Sequence, residues 1–253
     1  MPDATARQQR ILAAVQAQGF ATIEALADTL GVSAQTARRE AIRLQEAGLL
    51  QRFHGGVGLP EERVRPGYAL KRHAAPEAKR RIGAAVAALV PRGASVFIDV
   101  GTTAEAAARA LAGHGRLRVV TVSLHVAGLL AGRPGIEVFV AGGTLRGADG
   151  SLVGVETCAA LARFRCDLAL IGCSGFAEDG TVMDHDLDKI AAKQAMLRAA
   201  RKAVLLADAA KFARTAPALV APAAAFGRLV TDAAPPAGLA AALAAQGTMT
   251  VLA

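Results

Sequence analysis

Apolar positions in the first sixty residues recur at helical spacing. Ile11, Leu12 and Val15 form one stripe, which Gln18-Gly19 ends. Thr22 is placed to cap a second helix, whose Ile23, Leu26, Ala27 and Leu30 fall at i, i+3, i+4 and i+7. Gly31 then turns the chain and Ser33 caps a third helix. Ala37, Ala41 and Leu44 face its inner side, and Gly48 closes it. The run LLQRFHGGV from Leu49 to Val57 predicts two short strands around a glycine turn, the shape of a wing. Between Leu59 and Pro76 the periodicity fades, and Pro60, Pro66, Gly67 and Pro76 interrupt any long element. The expected organisation is therefore a module over residues 1–58, a linker over 59–76 and a larger domain over 77–253.

From Glu77 onward, short runs rich in Val, Ile and Leu alternate with helical stretches. Strands are expected at Ser95–Val100, Leu117–Thr121, Glu137–Ala141, Leu168–Gly172, Ala203–Ala207 and Leu229–Thr231. Helices are expected at Ala78–Leu89, Ala104–Leu111, Leu124–Leu130, Ala159–Arg163 and Ile190–Ala200. This alternation predicts an α/β domain with a mainly parallel sheet covered on both faces. Ligands of such sheets collect at the C-terminal strand ends.

Composition narrows the function classes. Hydrophobic residues make up 53% of the 253, ample for a core, yet no run approaches the roughly 18 needed to span a bilayer. The start MPDATARQQR has no apolar signal region, and Cys158, Cys166 and Cys173 lack disulfide or metal spacing. A cytoplasmic protein without structural metal, cofactor or membrane partner is expected. The formal charge of +8 suggests an anionic partner, but residues 1–60 hold six arginines against five acids. Residues 61–82, which run from the expected linker into the next helix, hold seven bases against three acids, and the linker's basic excess is either simply solvated or touches phosphates. The case for nucleic acid therefore rests on placement.

In a helix-turn-helix the second helix lies in the major groove, its N-terminal residues at the base edges. Here that helix would begin SAQTARRE, with Gln35, Arg39 and Arg43 at i, i+4 and i+8 and Thr36 beside them. Gln suits adenine, Arg suits guanine or phosphate, and hydroxyls suit phosphate. A plain three-helix bundle would show a similar charged face; the glycine turn, the wing with Arg52 and His54 and the basic linker favour DNA.

In the larger domain, Asp99-Val100-Gly101-Thr102-Thr103 joins a strand to a helix, an arrangement that offers backbone N–H groups to an anion or merely caps the helix. Thr121-Val122-Ser123, Gly142-Gly143-Thr144-Leu145-Arg146, Gly172-Cys173-Ser174-Gly175 and Lys211 would share the same layer, with Arg146 suited to phosphate. The stretch Asp179–Asp186 could accept hydrogen bonds from ligand hydroxyls or be a solvated acidic loop; as a metal site it is poorly spaced. His114 and His125 read as surface or capping residues.

RQQRILAAVQAQG, ALADTLGVSAQTARRE and LQEAGLLQRFHGGV closely resemble the DNA-binding half of the DeoR family of repressors, with Ala37 for a usual Ile or Val and Glu40 for a usual Asp. VFIDVGTTAEAAARAL, VAGGTLRGADGSLVG, GCSGFAEDGTVMDHDLDKIAAKQAM, ADAAKFAR and LVTDAAPP resemble that family's sensor domain, most like its glycerol-3-phosphate regulon repressor branch. The resemblance implies a winged helix-turn-helix followed by a fold similar to the ribose-phosphate isomerase and CoA-transferase type. It places Ser33, Gln35, Thr36, Arg38, Arg39, His54, Gly55 and Gly56 on the family's motif positions, and with Arg43 from the helix spacing and Arg52 from the wing the expected contacts on double-stranded operator DNA are Ser33, Gln35, Thr36, Arg38, Arg39, Arg43, Arg52, His54 and Gly55. It implies effector contacts from Asp99, Gly101, Thr102, Thr103, Ser123, Gly143, Arg146, Lys193 and Lys211, with glycerol 3-phosphate or another sugar phosphate as ligand. A homo-oligomer, dimer or tetramer, is expected. Val122 for Asn, Thr144 for Glu, Ala210 for Ser and Ala213 for Gly depart from the family pattern and leave the effector open. An isomerase-like enzyme with Asp184 or Asp186 as base would leave the N-terminal module without a purpose.

Overall fold

The computed structural model describes residues 5–18, 20–47, 49–53, 56–58 and 68–253, and the chain divides into two compact units, Met1–Lys71 and Arg72–Ala253. In the first unit, α1 (Ala6–Gln18), β1 (Phe20–Thr22), α2 (Ile23–Leu30) and α3 (Ala34–Glu46) precede β2 (Gln51–Phe53) and β3 (Gly56–Gly58). The expected caps form: the Thr22 hydroxyl accepts the Ala25 N–H and the Ser33 hydroxyl accepts the Thr36 N–H. Gly31 between the helices takes φ 66°, a left-handed value that a side chain would resist. Ile11, Val15, Leu26, Ala37, Ala41, Leu44 and Val57 bury together. The strands form an antiparallel sheet in the order β1-β3-β2. Three-residue β1 shows no period in the sequence and so was not anticipated.

A six-residue helix, α4 (Tyr68–His73), lies within the stretch expected to be a linker. YALKRH contains no breaker, but six residues are too few to display an amphipathic stripe.

The second unit contains α5 (Pro76–Leu89), β4 (Ser95–Ile98), α6 (Thr102–Leu111), β5 (Leu117–Thr121), α7 (Leu124–Leu130) and β6 (Ile136–Val140). There follow β7 (Thr144–Arg146), β8 (Ser151–Val153), α8 (Val155–Ala162), β9 (Cys166–Gly172), β10 (Gly175–Phe176), β11 (Val182–Asp184) and α9 (Leu187–Ala199). The chain closes with β12 (Ala200–Leu206), β13 (Ala218–Ala221), β14 (Arg228–Thr231), α10 (Ala237–Ala245) and β15 (Met249–Leu252). Seven strands form one sheet in the order β15-β14-β12-β9-β4-β5-β6, with every pairing parallel.

Side-chain alternation gives that sheet two buried faces. Phe97, Ala169, Ile171, Ala203, Leu205 and Leu229 join one core with Leu161, Met196 and Leu243 from the helices. Val96, Ile98, Leu168, Leu170, Val204, Leu206 and Val230 join the other with Ile82, Val86, Ala107, Leu111 and Leu130. Helices α5 and α6 touch so closely that a Cβ on Gly83 would lie 2.5 Å from the Ala106 carbonyl oxygen.

The strand order reverses between β4 and β9: from β4 the chain winds outward through β5 and β6, and from β9 the other way through β12, β14 and β15. A crevice at the carboxyl ends is expected at such a switch point. Two small antiparallel additions stand near it, the β7–β8 hairpin and the β10-β11-β13 sheet. Among the described residues no helix is long and apolar enough to cross a membrane, and no group of His, Cys, Asp and Glu is arranged to hold a metal.

Candidate functional site

The exposed face of α3 is built by its buried one. With Ala37, Ala41 and Leu44 inward, Gln35, Arg38, Arg39 and Arg43 point to solvent. Arg38 and Arg39 form no ion pair among the described residues, whereas Arg43 is tied 2.8 Å from Glu40. Glu40 is itself buried and accepts a hydrogen bond from Gln8 Nε2 at 2.9 Å, joining α1 to α3. Arg43 is thus partly committed to the fold. Ser33 and Thr36 sit at the helix start with their hydroxyls 3.0 Å apart. Arg52 lies on β2, paired with Val57 across the wing, while His54 and Gly55 fall outside the described residues.

At the switch point, Asp99 follows β4, and its Oδ2 accepts the Gly172 N–H at 3.0 Å and a hydrogen bond from Lys193 Nζ. Lys193, on α9, also donates to the Gly172 carbonyl at 2.7 Å and lies 3.4 Å from Asp184 Oδ2. Asp184 Oδ1 accepts the Ser174 hydroxyl at 2.8 Å and the His185 N–H at 2.7 Å. All three charged side chains are buried. Burial pushes the Lys193 pKa down, but Asp99 and Asp184 outweigh it and hold the ammonium above the ordinary lysine value. Beside them, burial pushes the Cys173 thiol up to about 12, against the opposing pull of Lys211 and Lys193.

Gly101, at φ 123°, opens α6, so the first-turn N–H groups of the helix stand at the same crevice as half-buried Thr102 and buried Thr103. Lys211 lies on the short turn Ala209–Lys211, where the buried Asp208 carboxylate accepts the Ala210 N–H and Asp232 accepts the Ala209 N–H. Asp99, Gly101, Thr102, Thr103, Lys193 and Lys211 therefore gather around the ends of β4, β9 and β12.

The other candidates belong to the β7–β8 hairpin. Ser123 is fully buried, caps α7 by accepting the Val126 N–H, and bridges Ser151. Gly143 packs so tightly that a Cβ would lie 2.0 Å from Thr157 Oγ1. Arg146 spreads its guanidinium over Asp186 at 2.5 Å and Asp188 at 2.7 Å. Lys189 pairs with Asp149, so three ion pairs from α9 and its N-cap hold the hairpin. Of the family departures, Val122 is buried in the core and Thr144 is exposed.

The sequence places Ser174 in the strand-end layer without a role of its own and does not single out Lys79. Lys79 carried a signal, standing between Ala78 and Ile82 on the buried stripe of α5, where a charged residue needs a reason.

A DeoR-like helix-turn-helix domain matches residues 7–63 and a DeoR C terminal sensor domain matches residues 74–233. The chain belongs to the DeoR family. Among relatives of this DeoR protein, the glycerol-3-phosphate regulon repressor of Escherichia coli K12 is 36% identical over 92% of both chains. Its counterpart in Haemophilus influenzae is 39% identical over 83% of this chain and 82% of its own. The HTH-type transcriptional repressor CsqR of E. coli K12 is also 36% identical, over 92% of this chain and 89% of its own. Ribose 5-phosphate isomerase A from Methanocaldococcus jannaschii aligns in structure over 54% of each chain, with a TM-score of 0.40 and 16% identity.

Proposed function

We propose that this DeoR protein is a DNA-binding transcriptional repressor of a carbohydrate or polyol catabolic operon, released by a phosphorylated metabolite, glycerol 3-phosphate in the first instance. The observation that carries the reading is α3, capped by Ser33 and presenting Gln35, Arg38 and Arg39 outward from a buried Ala37–Ala41–Leu44 face. Arg39 and Gln35 read bases, while Ser33, Thr36, Arg38, Arg43, Arg52, His54 and Gly55 fix the helix and wing on phosphates. The first turn of α6 with Thr102, Thr103 and Lys211 takes the effector phosphate, Asp99 and Lys193 shape the pocket, and Ser123, Gly143 and Arg146 border it. A homo-oligomer brings two copies of α3 to a two-fold operator.

The effector binds the sensor better in the state less suited to DNA and thereby shifts the population. The test is to select bound duplexes from a random-sequence pool with the full chain, then titrate the recovered duplex with and without glycerol 3-phosphate, and to record the mass of the complex by sedimentation. Enrichment of a two-fold motif that glycerol 3-phosphate releases supports the proposal. Enrichment with release by ribose 5-phosphate alone changes the effector, and no enrichment overturns the repressor reading.

A further inference from the structure

Lys79 lies outside every group assigned to the effector above, yet three observations connect it to that site. It is 6% exposed on α5, the helix that opens the main body of the second unit. It lines a cavity of about 440 Å³ between α5 and α6 together with Thr102, Glu105 and Arg109, so it shares Thr102 with the strand-end crevice. It also lies within electrostatic reach of Asp208 and Lys211. Burial pushes its pKa below the ordinary lysine value and Lys211 and Arg214 push the same way, against Asp208 and Glu105.

The other end of the connection is a turn. Lys79 Nζ donates to the Ala74 carbonyl at 2.5 Å, and the Lys79 N–H donates to the Ala75 carbonyl at 3.2 Å. Ala75 stands at φ 46°, ψ 52°, the one non-glycine residue with positive φ among the described residues, and no side chain caps the helix there. A left-handed alanine persists when surrounding bonds over-determine it. Here a bond from a buried ammonium helps hold the point where the chain enters the second unit.

We propose that Lys79 couples effector binding to the DNA-binding end of the chain: its ammonium moves from the Ala74 carbonyl to the bound phosphate and releases the Ala74–Ala75 turn. This rests on the reading that the effector phosphate sits at Gly101–Thr103 and Lys211. A charged acceptor outcompetes a neutral carbonyl for an ammonium hydrogen, which sets the direction of the transfer.

Two full-length variants test it, with glycerol 3-phosphate and ribose 5-phosphate as ligand probes and the selected duplex as DNA. Calorimetry gives ligand affinity, and fluorescence anisotropy gives duplex affinity with and without saturating ligand. In the wild type, ligand weakens duplex binding by about 5–150-fold. In Lys79→Met, ligand still binds, about tenfold more weakly, but duplex affinity changes less than about twofold because the turn is already free. In Ala75→Gly the left-handed turn no longer needs holding, so ligand and duplex each bind as in the wild type and ligand-driven release falls several-fold. Full release in Lys79→Met at saturating ligand overturns the inference alone, as does full release in Ala75→Gly should Lys79→Met fail to fold. Failure of either phosphorylated probe to bind the wild type overturns the phosphate reading, and the inference falls with it.

Discussion

Lys193→Met keeps the unbranched apolar stem of the side chain and deletes the ammonium that Asp99 and Asp184 share. The two partners do not lose equally. Asp184 would retain the Ser174 hydroxyl and the His185 N–H, whereas Asp99 would retain the Gly172 N–H on Oδ2, and its buried Oδ1 has no hydrogen-bond partner among the described residues. With side-chain exposures of 3% for Lys193 and 1% for Asp99, water cannot take the place of the ammonium. Removing one partner of a buried ion pair costs about 3–5 kcal/mol. For a unit of this size each kcal/mol moves the melting temperature roughly 2–4 °C, so a drop of roughly 6–20 °C is expected in scanning calorimetry. Adding Asp99→Asn removes the stranded charge and should recover about 1–3 kcal/mol. The pKa of Lys193 is raised on folding, so its contribution is complete below the ordinary lysine value and is lost only as pH rises beyond it. The deficit should therefore be constant between about pH 6 and pH 9. A loss under about 1 kcal/mol, or a double variant no more stable than the single one, refutes the claim that this cluster holds the switch point together.

Arg39→Ala should weaken binding to the selected duplex by about 1–3 kcal/mol with relaxed preference at one base position if the side chain reads a base, measured by anisotropy; an unchanged affinity removes Arg39 from the interface. Gly143→Ala forces a side chain to φ 126° and against Thr157, and should destabilise the hairpin by about 1–3 kcal/mol, seen as faster hydrogen exchange at β7 and β8. Exchange rates matching the wild type would contradict that packing. Cys173, pushed up to about 12, should react with a thiol reagent far more slowly at about pH 8 than an ordinary cysteine, and faster with each step up in pH; reaction at the rate of a free peptide thiol would show the site open.

Most of the scaffold was legible because it rests on periodicity. Thr22 and Ser33 cap where expected, Ala37, Ala41 and Leu44 bury, and α7 runs over the expected Leu124–Leu130. Expected strand boundaries shifted by up to about three residues, as at β12, which begins at Ala200 where Ala203 was expected. What stayed hidden was too short for a period: β1, α4, the β7–β8 hairpin, the β10-β11-β13 sheet and the four-residue edge strand β15. Residue types at the candidate site were legible, but their pairing was not. Arg146 reads as a phosphate ligand in sequence, yet its guanidinium is spread over Asp186 and Asp188, forty and forty-two residues away. Nothing local announces such contacts, because they are made by the topology that returns α9 beside the hairpin.

The same pairing constrains how an anion can be recognised. Around the switch point the carboxylates Asp99, Asp184 and Asp208 stand against the ammoniums of Lys79, Lys193 and Lys211, so the formal charges of these six groups cancel. A phosphate entering a balanced cluster gains little from net attraction. It must gain from the N–H groups opening α6 and from hydrogen bonds reassigned to it. Lys193 is a poor source, since two carboxylates and the Gly172 carbonyl already hold it. Arg146 is another, its fork filled by a pair of carboxylates. Lys79 donates to the neutral carbonyl of Ala74, beside the left-handed Ala75. On the proposal above, an anion at this crevice recruits the ammonium whose departure alters the entry of the chain, which makes recognition and response one event.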